Sequence, residues 1–343
     1  MIRNIQALRA YAALLVVFVH LRPLLATVGA VPFGSAGVDL FFVISGFIMV
    51  HTTRMRPPGG GRFMRNRFAR VAPLYWLLTV AVFLLSLAAP GLLQSDVGGP
   101  GELLKSLAFL PYMKANHLVQ PVLFLGWTLN YEMFFYVLFG IGLCFRRYHV
   151  GLLFCAACLL ALALVRPLLS PMGVLPAFYT SPVMLEFAAG MGLALVTDAA
   201  PRQVAPGVRA LTTLGLLAAL ALPLGPLVLP SAPQTLLSGI EATVLVGSAV
   251  LLERWGWSLR NAAVLAVGDA SYALYLTHPF VTQIVQKLTG RLNPGPFLGG
   301  IMLAGCLLLV VAVAVATHRV LEKPLSRWAR RGLRVEPMPE RPA

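Results

Sequence analysis

Arg9 and His20 bracket an uncharged, mostly apolar run within LRAYAALLVVFVH, residues 8–20. A helix turns about 100° and rises about 1.5 Å per residue, so eleven residues nearly complete three turns. The two side chains therefore share a face, about 16 Å apart along the axis. An imidazole exchanges protons near neutral pH, and a guanidinium fork binds phosphates in bidentate fashion. Five more ionisable groups interrupt apolar runs: Asp39, Glu132, Glu186, Glu241 and His278. Glu132 ends a polar patch, GWTLNYE (126–132), that also holds Trp127 and Asn130. In SYALYLTH (271–278), Ser271, Tyr275 and His278 fall at i, i+4 and i+7 and line one helical face. The segment RMRPPGGGRFMRNRFAR (54–70) gathers Arg54, Arg56, Arg62, Arg65, Arg67 and Arg70.

The elements that must position these groups follow from composition. The chain is 58% hydrophobic and 11% charged, with a mean hydropathy of +0.81. Soluble domains carry about 25% charged residues, so this chain cannot cover a water-facing surface. Its net charge of +15 is gathered in short arginine clusters, with no aromatic-interleaved basic stripe for nucleic acid. The pattern is that of an all-α, polytopic membrane bundle. A bilayer core about 30 Å thick needs about 20 apolar residues per helix. About ten spans meet that length: 6–25, 34–53, 72–89, 122–143, 149–166, 182–198, 208–228, 235–253, 262–284 and 297–319. The membrane-embedded domain is expected over 1–333, with a disordered cytoplasmic tail over 334–343. His20, Arg22 and Pro23 interrupt the first apolar run, so it is read as a retained helix and not a signal peptide. An even span count puts both termini on one side. Assigning them to the cytoplasm leaves only Arg22, Lys105, Lys114, Arg166, Lys287 and Arg291 of the 27 Lys and Arg residues on the other face. The segment 103–113 is too short and polar to span and reads as interfacial.

Ionisable groups within a bilayer are costly, which makes each a functional candidate. Each also has a plainer reading. His20 or His278 could bond a neighbouring helix, Asp39 could pair with Arg22, and Glu186 and Glu241 lie near their helix entrances. The basic segment suits topology and anionic lipid, and equally a phosphorylated donor entering from the cytoplasm. Cys155 and Cys158 share a redox spacing but sit in an apolar span, where packing accounts for them. No metal-ligand spacing is present. A proton-coupled transporter or exporter of a polysaccharide-related substrate would also place carboxylates and histidines in the membrane.

Six segments together resemble the integral-membrane acyltransferase family 3, which includes O-acetyltransferases of bacterial polysaccharides. They are IQALRAYAALLVVFVH (5–20), GVDLFFVISGFIM (37–49), RNRFARVAPLYW (65–76), GWTLNYEMFFY (126–136), SYALYLTHPF (271–280) and LEKPLSRW (321–328). The wording is most similar to the exopolysaccharide subgroup. Many relatives have WSLSVE where this chain has WTLNYE, so Asn130 and Tyr131 depart from the pattern while Glu132 keeps it. The resemblance implies a membrane-bound O-acyltransferase in a bacterial inner membrane. Its donor would be acetyl-CoA or another short acyl-CoA, and its acceptor a saccharide or lipid-linked saccharide, with polysaccharide-assembly proteins and membrane lipid as partners. It implies His20 as the base, with Glu132 or Asp39 orienting it. Arg9, Arg67 and Arg70 would hold the donor phosphates. His278, Tyr275, Ser271, Trp127 and Asn130 would face the acceptor.

Overall fold

The computed structural model describes residues 2–29, 34, 36–89, 97–221 and 234–335. The main helices are α1 (Arg3–Val19), α2 (Arg22–Thr27), α3 (Ala36–Thr53), α4 (Gly60–Ala88), α5 (Pro100–Leu107), α6 (Trp127–Gly142) and α7 (Tyr148–Leu164). They are followed by α8 (Leu185–Ala199), α9 (Pro206–Ala221), α10 (Gln234–Arg254), α11 (Ala262–Asp269), α12 (Ser271–Leu292), α13 (Pro296–Thr317) and α14 (Lys323–Gly332). Among the described residues there is no strand, only an isolated bridge between Met113 and Val119. The all-α expectation holds.

Among the described residues, four helices are long and apolar enough to cross a bilayer: Ala36–Thr53, Gly60–Ala88, Pro182–Ala199 and Pro296–Gly332. The bent pair Tyr148–Leu164 and Arg166–Met172 makes a fifth if its halves form one span. Exposed leucine, isoleucine and phenylalanine along α13, such as Phe297, Ile301 and Leu308, suit a lipid-facing surface. The protein is an all-α membrane protein.

Several expected boundaries move. The first span is not one helix: α1 stops at Val19 and α2 starts at Arg22. Pro23 has no N–H for the carbonyl of Val19 four residues back, and its ring crowds that position. The span expected over 262–284 is broken at Ala270, and α12 runs on to Leu292. The basic 54–70 segment is largely helix, because α4 begins at Gly60. A Cβ on Gly60 would run into the carbonyl of Gly140 on α6, so this glycine serves close helix approach, as small residues do between membrane helices. Residues 222–228 of the seventh expected span, and 336–343 of the expected tail, lie outside the described residues.

The described chain groups into two compact units. One comprises 2–50 and 189–320, the other 51–188 and 321–335. In the first, Ala13, Val17, Leu21, Leu24 and Leu25 of the α1–α2 region pack with Leu274 and Val281 of α12 and Cys306, Val310 and Ala314 of α13. The start of α1 is held from a distance. Glu253 accepts from the Arg3 and Asn4 backbone N–H groups at 2.9 and 2.6 Å, satisfying donors that a helix start leaves open. The Asn4 side chain donates to the carbonyls of Ala249 and Trp257 and accepts from the Leu259 N–H. A Cβ on Gly268 would meet the carbonyl of Gln6, so α11 lies directly against α1.

In the second unit, Ser106 ties the connection before α6 to α4. Its carbonyl accepts from the Tyr75 hydroxyl at 3.1 Å, and its hydroxyl accepts from the Val122 N–H at 2.9 Å. Trp76 donates to the carbonyl of Leu107 at 2.8 Å. Tyr112, whose hydroxyl lies 3.1 Å from that of Ser106, has its phenol pushed up by burial. These bonds fix where α6, and therefore Glu132, begins.

Candidate active site

The first unit brings two histidines together. His20 occupies the break after α1, half-buried, while His278 in the middle of α12 is fully buried. Their rings lie 5.0 Å apart between centroids, and His20 Nδ1 is 3.3 Å from His278 Nε2. His20 Nδ1 also lies 2.9 Å from the Val16 carbonyl, and His278 Nδ1 lies 3.1 Å from that of Leu274. Pro279 follows His278 and has no N–H, which leaves the Tyr275 carbonyl without its helical donor.

These contacts assign the tautomers. A carbonyl oxygen only accepts, so each Nδ1 carries the proton. His278 Nε2 is then a lone pair facing the His20 Nδ1–H, which is shared between it and the Val16 carbonyl. His20 Nε2 is left as the unprotonated nitrogen, the form a general base requires. Gln286, further along α12, donates through Nε2 to the His20 backbone carbonyl, one of the acceptors a helix end leaves open. The sequence reading missed Gln286. The signal lay in the continuation of the stripe: Ser271, Tyr275, His278, Thr282, Gln286 and Thr289 recur at steps of three and four.

Tyr275 is buried, its ring 6.1 Å from Phe41 of α3 and 6.3 Å from His278. Ser271 is fully buried, and its hydroxyl has no hydrogen-bond partner among the described residues. Arg9 donates to Gln6 Oε1 at 3.1 Å, and Gln6 Nε2 donates to Asp269 at 2.8 Å, so α11 steadies the arginine through one intermediary. Asp39 is buried on α3 within electrostatic reach of Glu241 on α10.

The second unit holds the other expected residues. Arg67, only 5% exposed, has its guanidinium carbon 5.5 Å from the centre of the Phe63 ring and 5.9 Å from that of Tyr136. Its Nε has no hydrogen-bond partner among the described residues. The Tyr136 hydroxyl donates to Glu132 in a short hydrogen bond, and Glu132 and Arg70 both act on Arg67 through charge. Arg67 is thus a buried cation between two aromatic faces, while Arg70 is half-exposed. Asn130 is buried with its carbonyl oxygen unpartnered among the described residues. The half-buried Trp127 lies 6.0 Å from Tyr131, which stacks on Phe178 at 3.8 Å. Tyr136 and Phe63 were not singled out in the sequence, although Tyr136 stands one helical turn after Glu132.

Comparison with known proteins adds an independent line. An acyltransferase domain matches residues 2–318. The exopolysaccharide production protein ExoZ of Rhizobium meliloti (strain 1021) is 33% identical over 305 residues, covering 87% of this chain and 91% of that protein. The acyltransferase MdmB of Streptomyces mycarofaciens is 29% identical over 327 residues, covering 86% and 81% respectively. No solved structure matches. With the domain match running through both histidines, Arg67 and Arg70 of α4 and Glu132, the chain belongs to the integral-membrane acyltransferase family 3 and is an acyltransferase.

Proposed function

We propose that this acyltransferase moves an acetyl or other short acyl group from acyl-CoA to a hydroxyl of an exopolysaccharide or its lipid-linked precursor. The observation that carries the reading is the hydrogen-bond set that leaves His20 Nε2 unprotonated and braces the opposite side of its ring. Similarity to a protein named for exopolysaccharide production supports the acceptor class. Family membership favours the transferase over a proton-coupled carrier.

His20 Nε2 takes the proton of the acceptor hydroxyl as the oxygen attacks the thioester carbonyl. The carbon–sulfur bond breaks, and the departing thiolate takes the proton back from Nε2. During the step the imidazolium is stabilised on its Nδ1 side by the Val16 carbonyl and by His278 Nε2. His278 therefore holds and supports the base, a role the sequence reading gave to Glu132 or Asp39. Tyr275 and Ser271, on the same stripe, are assigned to the acceptor with Trp127 and Asn130. Arg9, Arg67 and Arg70 are assigned to the donor phosphates, Arg67 acting through its field from a buried position. In this reading the shorter helices also span, giving about ten spans with both termini cytoplasmic in a bacterial inner membrane.

His20→Ala, expressed in membranes supplied with labelled acetyl-CoA, should lose transfer by about 10²–10⁴-fold, the span of general-base catalysis. Wild-type rates at wild-type protein levels would defeat the assignment.

A further inference from the structure

The helix that begins at Pro296 does not stop where its apolar stretch ends at Thr317. It continues through a π-helical turn, His318–Glu322, into α14, reaching Gly332. Three stripes run along this last part. Glu322, Ser326, Ala329 and Leu333 form one, which packs on α4; Glu322 is buried, and Arg65 of α4 donates to the Leu333 carbonyl at 3.5 Å. A second stripe at i, i+4 and i+8 is Lys323, Arg327 and Arg331, all exposed and none in an ion pair among the described residues. Arg327 Nε donates along that stripe to the Lys323 carbonyl at 3.4 Å. The third is apolar, with Leu321, Leu325 and Trp328; Trp328 is 74% exposed. An exposed tryptophan beside unpaired cations, on a helix continuing out of an apolar span, matches the chemistry of a bilayer interface.

Distance decides which cations can work there. From Thr317, the end of α13, Lys323 is about 9 Å along the axis, Arg327 about 15 Å and Arg331 about 21 Å. Helical side chains lean back toward the N-terminus, here toward the apolar span, and Lys and Arg stretch to reach polar headgroups. The headgroup layer is about 5–7 Å thick on each side. Lys323 and Arg327 reach back into or beside that layer, Trp328 meets its outer edge, and Arg331 falls short. We propose that Lys323 and Arg327 of α14 bind the phosphates of anionic lipid headgroups, with Trp328 seated beside them.

Purified full-length protein, titrated with phosphatidylglycerol or phosphatidylcholine and read by native mass spectrometry, should prefer the anionic lipid. Lys323→Gln with Arg327→Gln should weaken phosphatidylglycerol binding about fivefold for each charge and leave phosphatidylcholine unchanged. Arg331→Gln should change either by less than about twofold, being beyond reach. Retained preference in the double variant, or equal loss of both lipids, overturns the proposal. Should the double variant fail to fold, the unsubstituted charges can be read through Trp328. Phosphatidylglycerol brominated near the headgroup should quench Trp328 emission, isolated by difference from Trp328→Phe, more than the matching phosphatidylcholine. Equal quenching, or quenching relieved by inorganic pyrophosphate in detergent, would mean a plain aromatic anchor or a soluble-anion site instead.

Discussion

Replacing His278 tests the catalytic reading most directly, because His278 touches His20 and supports its imidazolium. In the resting state the bond from His20 Nδ1–H to His278 Nε2 is 3.3 Å, just beyond the usual 2.7–3.2 Å range, while the Val16 carbonyl at 2.9 Å already holds the same hydrogen. Loss of His278 therefore does little to the tautomer. Its contribution grows when His20 becomes an imidazolium, where a hydrogen bond to a charged group is worth about 1.5–3 kcal/mol. At 1.36 kcal/mol per decade this is about 10- to 150-fold in kcat. KM for donor and acceptor should stay near wild type. His278→Asn places its amide near the Nδ1 position and abandons the ε side, so it should show the full loss. His278→Gln can present its amide oxygen close to the position of Nε2 and should recover part of the rate. Single-turnover transfer of labelled acyl groups by purified protein separates the chemical step from binding. Two outcomes would refute the reasoning. One is equal rates for the Asn, Gln and wild-type proteins. The other is a KM increase with unchanged kcat, which would make His278 an acceptor-binding residue.

Two other substitutions probe how the site is held. Glu253→Ala removes the carboxylate that caps α1 and should cost about 1–2 kcal/mol of stability, read as a lowered denaturation midpoint of purified protein in detergent; an unchanged midpoint would mean water replaces the cap freely. Tyr136→Phe keeps an aromatic face over Arg67 but removes the hydroxyl donated to Glu132, whose charge acts on Arg67, so kcat/KM for the donor should fall about tenfold with the fold intact, whereas a wild-type value would separate the Tyr136–Glu132 pair from donor binding.

Much of the site was legible from spacing alone. Arg9 and His20 bracket the unbroken α1, which keeps their shared face, and Ser271, Tyr275 and His278 line one buried face of α12. The meeting of His20 with His278 was not legible, because 258 residues separate them and no local pattern encodes which distant helix packs where. The break at His20 had a signal in Pro23, but an apolar run reads as continuous when hydropathy alone is followed. By composition alone, GGG at 59–61 suits a flexible linker. Gly60 instead lets α4 approach α6, a tertiary use of glycine that composition does not distinguish from flexibility. Arg67 counted as one of six similar arginines in the sequence; only packing sets it apart as the one held between Phe63 and Tyr136.

The two histidines share a further property that bears on why they suit this chemistry. Each stands next to a proline-disturbed stretch of helix, His20 three residues before Pro23 and His278 immediately before Pro279. A proline removes one N–H from the helical ladder and frees a carbonyl four residues back, which is costly in an apolar setting unless another donor arrives. On α12 the His278 ring bonds the Leu274 carbonyl through Nδ1 and is thereby fixed with Nε2 as its acceptor. At the end of α1 Pro23 leaves the Val19 carbonyl without its helical donor, and Gln286 of α12 donates to the neighbouring His20 carbonyl. The polar stripe thus reaches the break after α1 through Gln286, while the two rings are set by their own bonds to the Val16 and Leu274 carbonyls and to each other. A base held this way needs no carboxylate beside it to choose its tautomer.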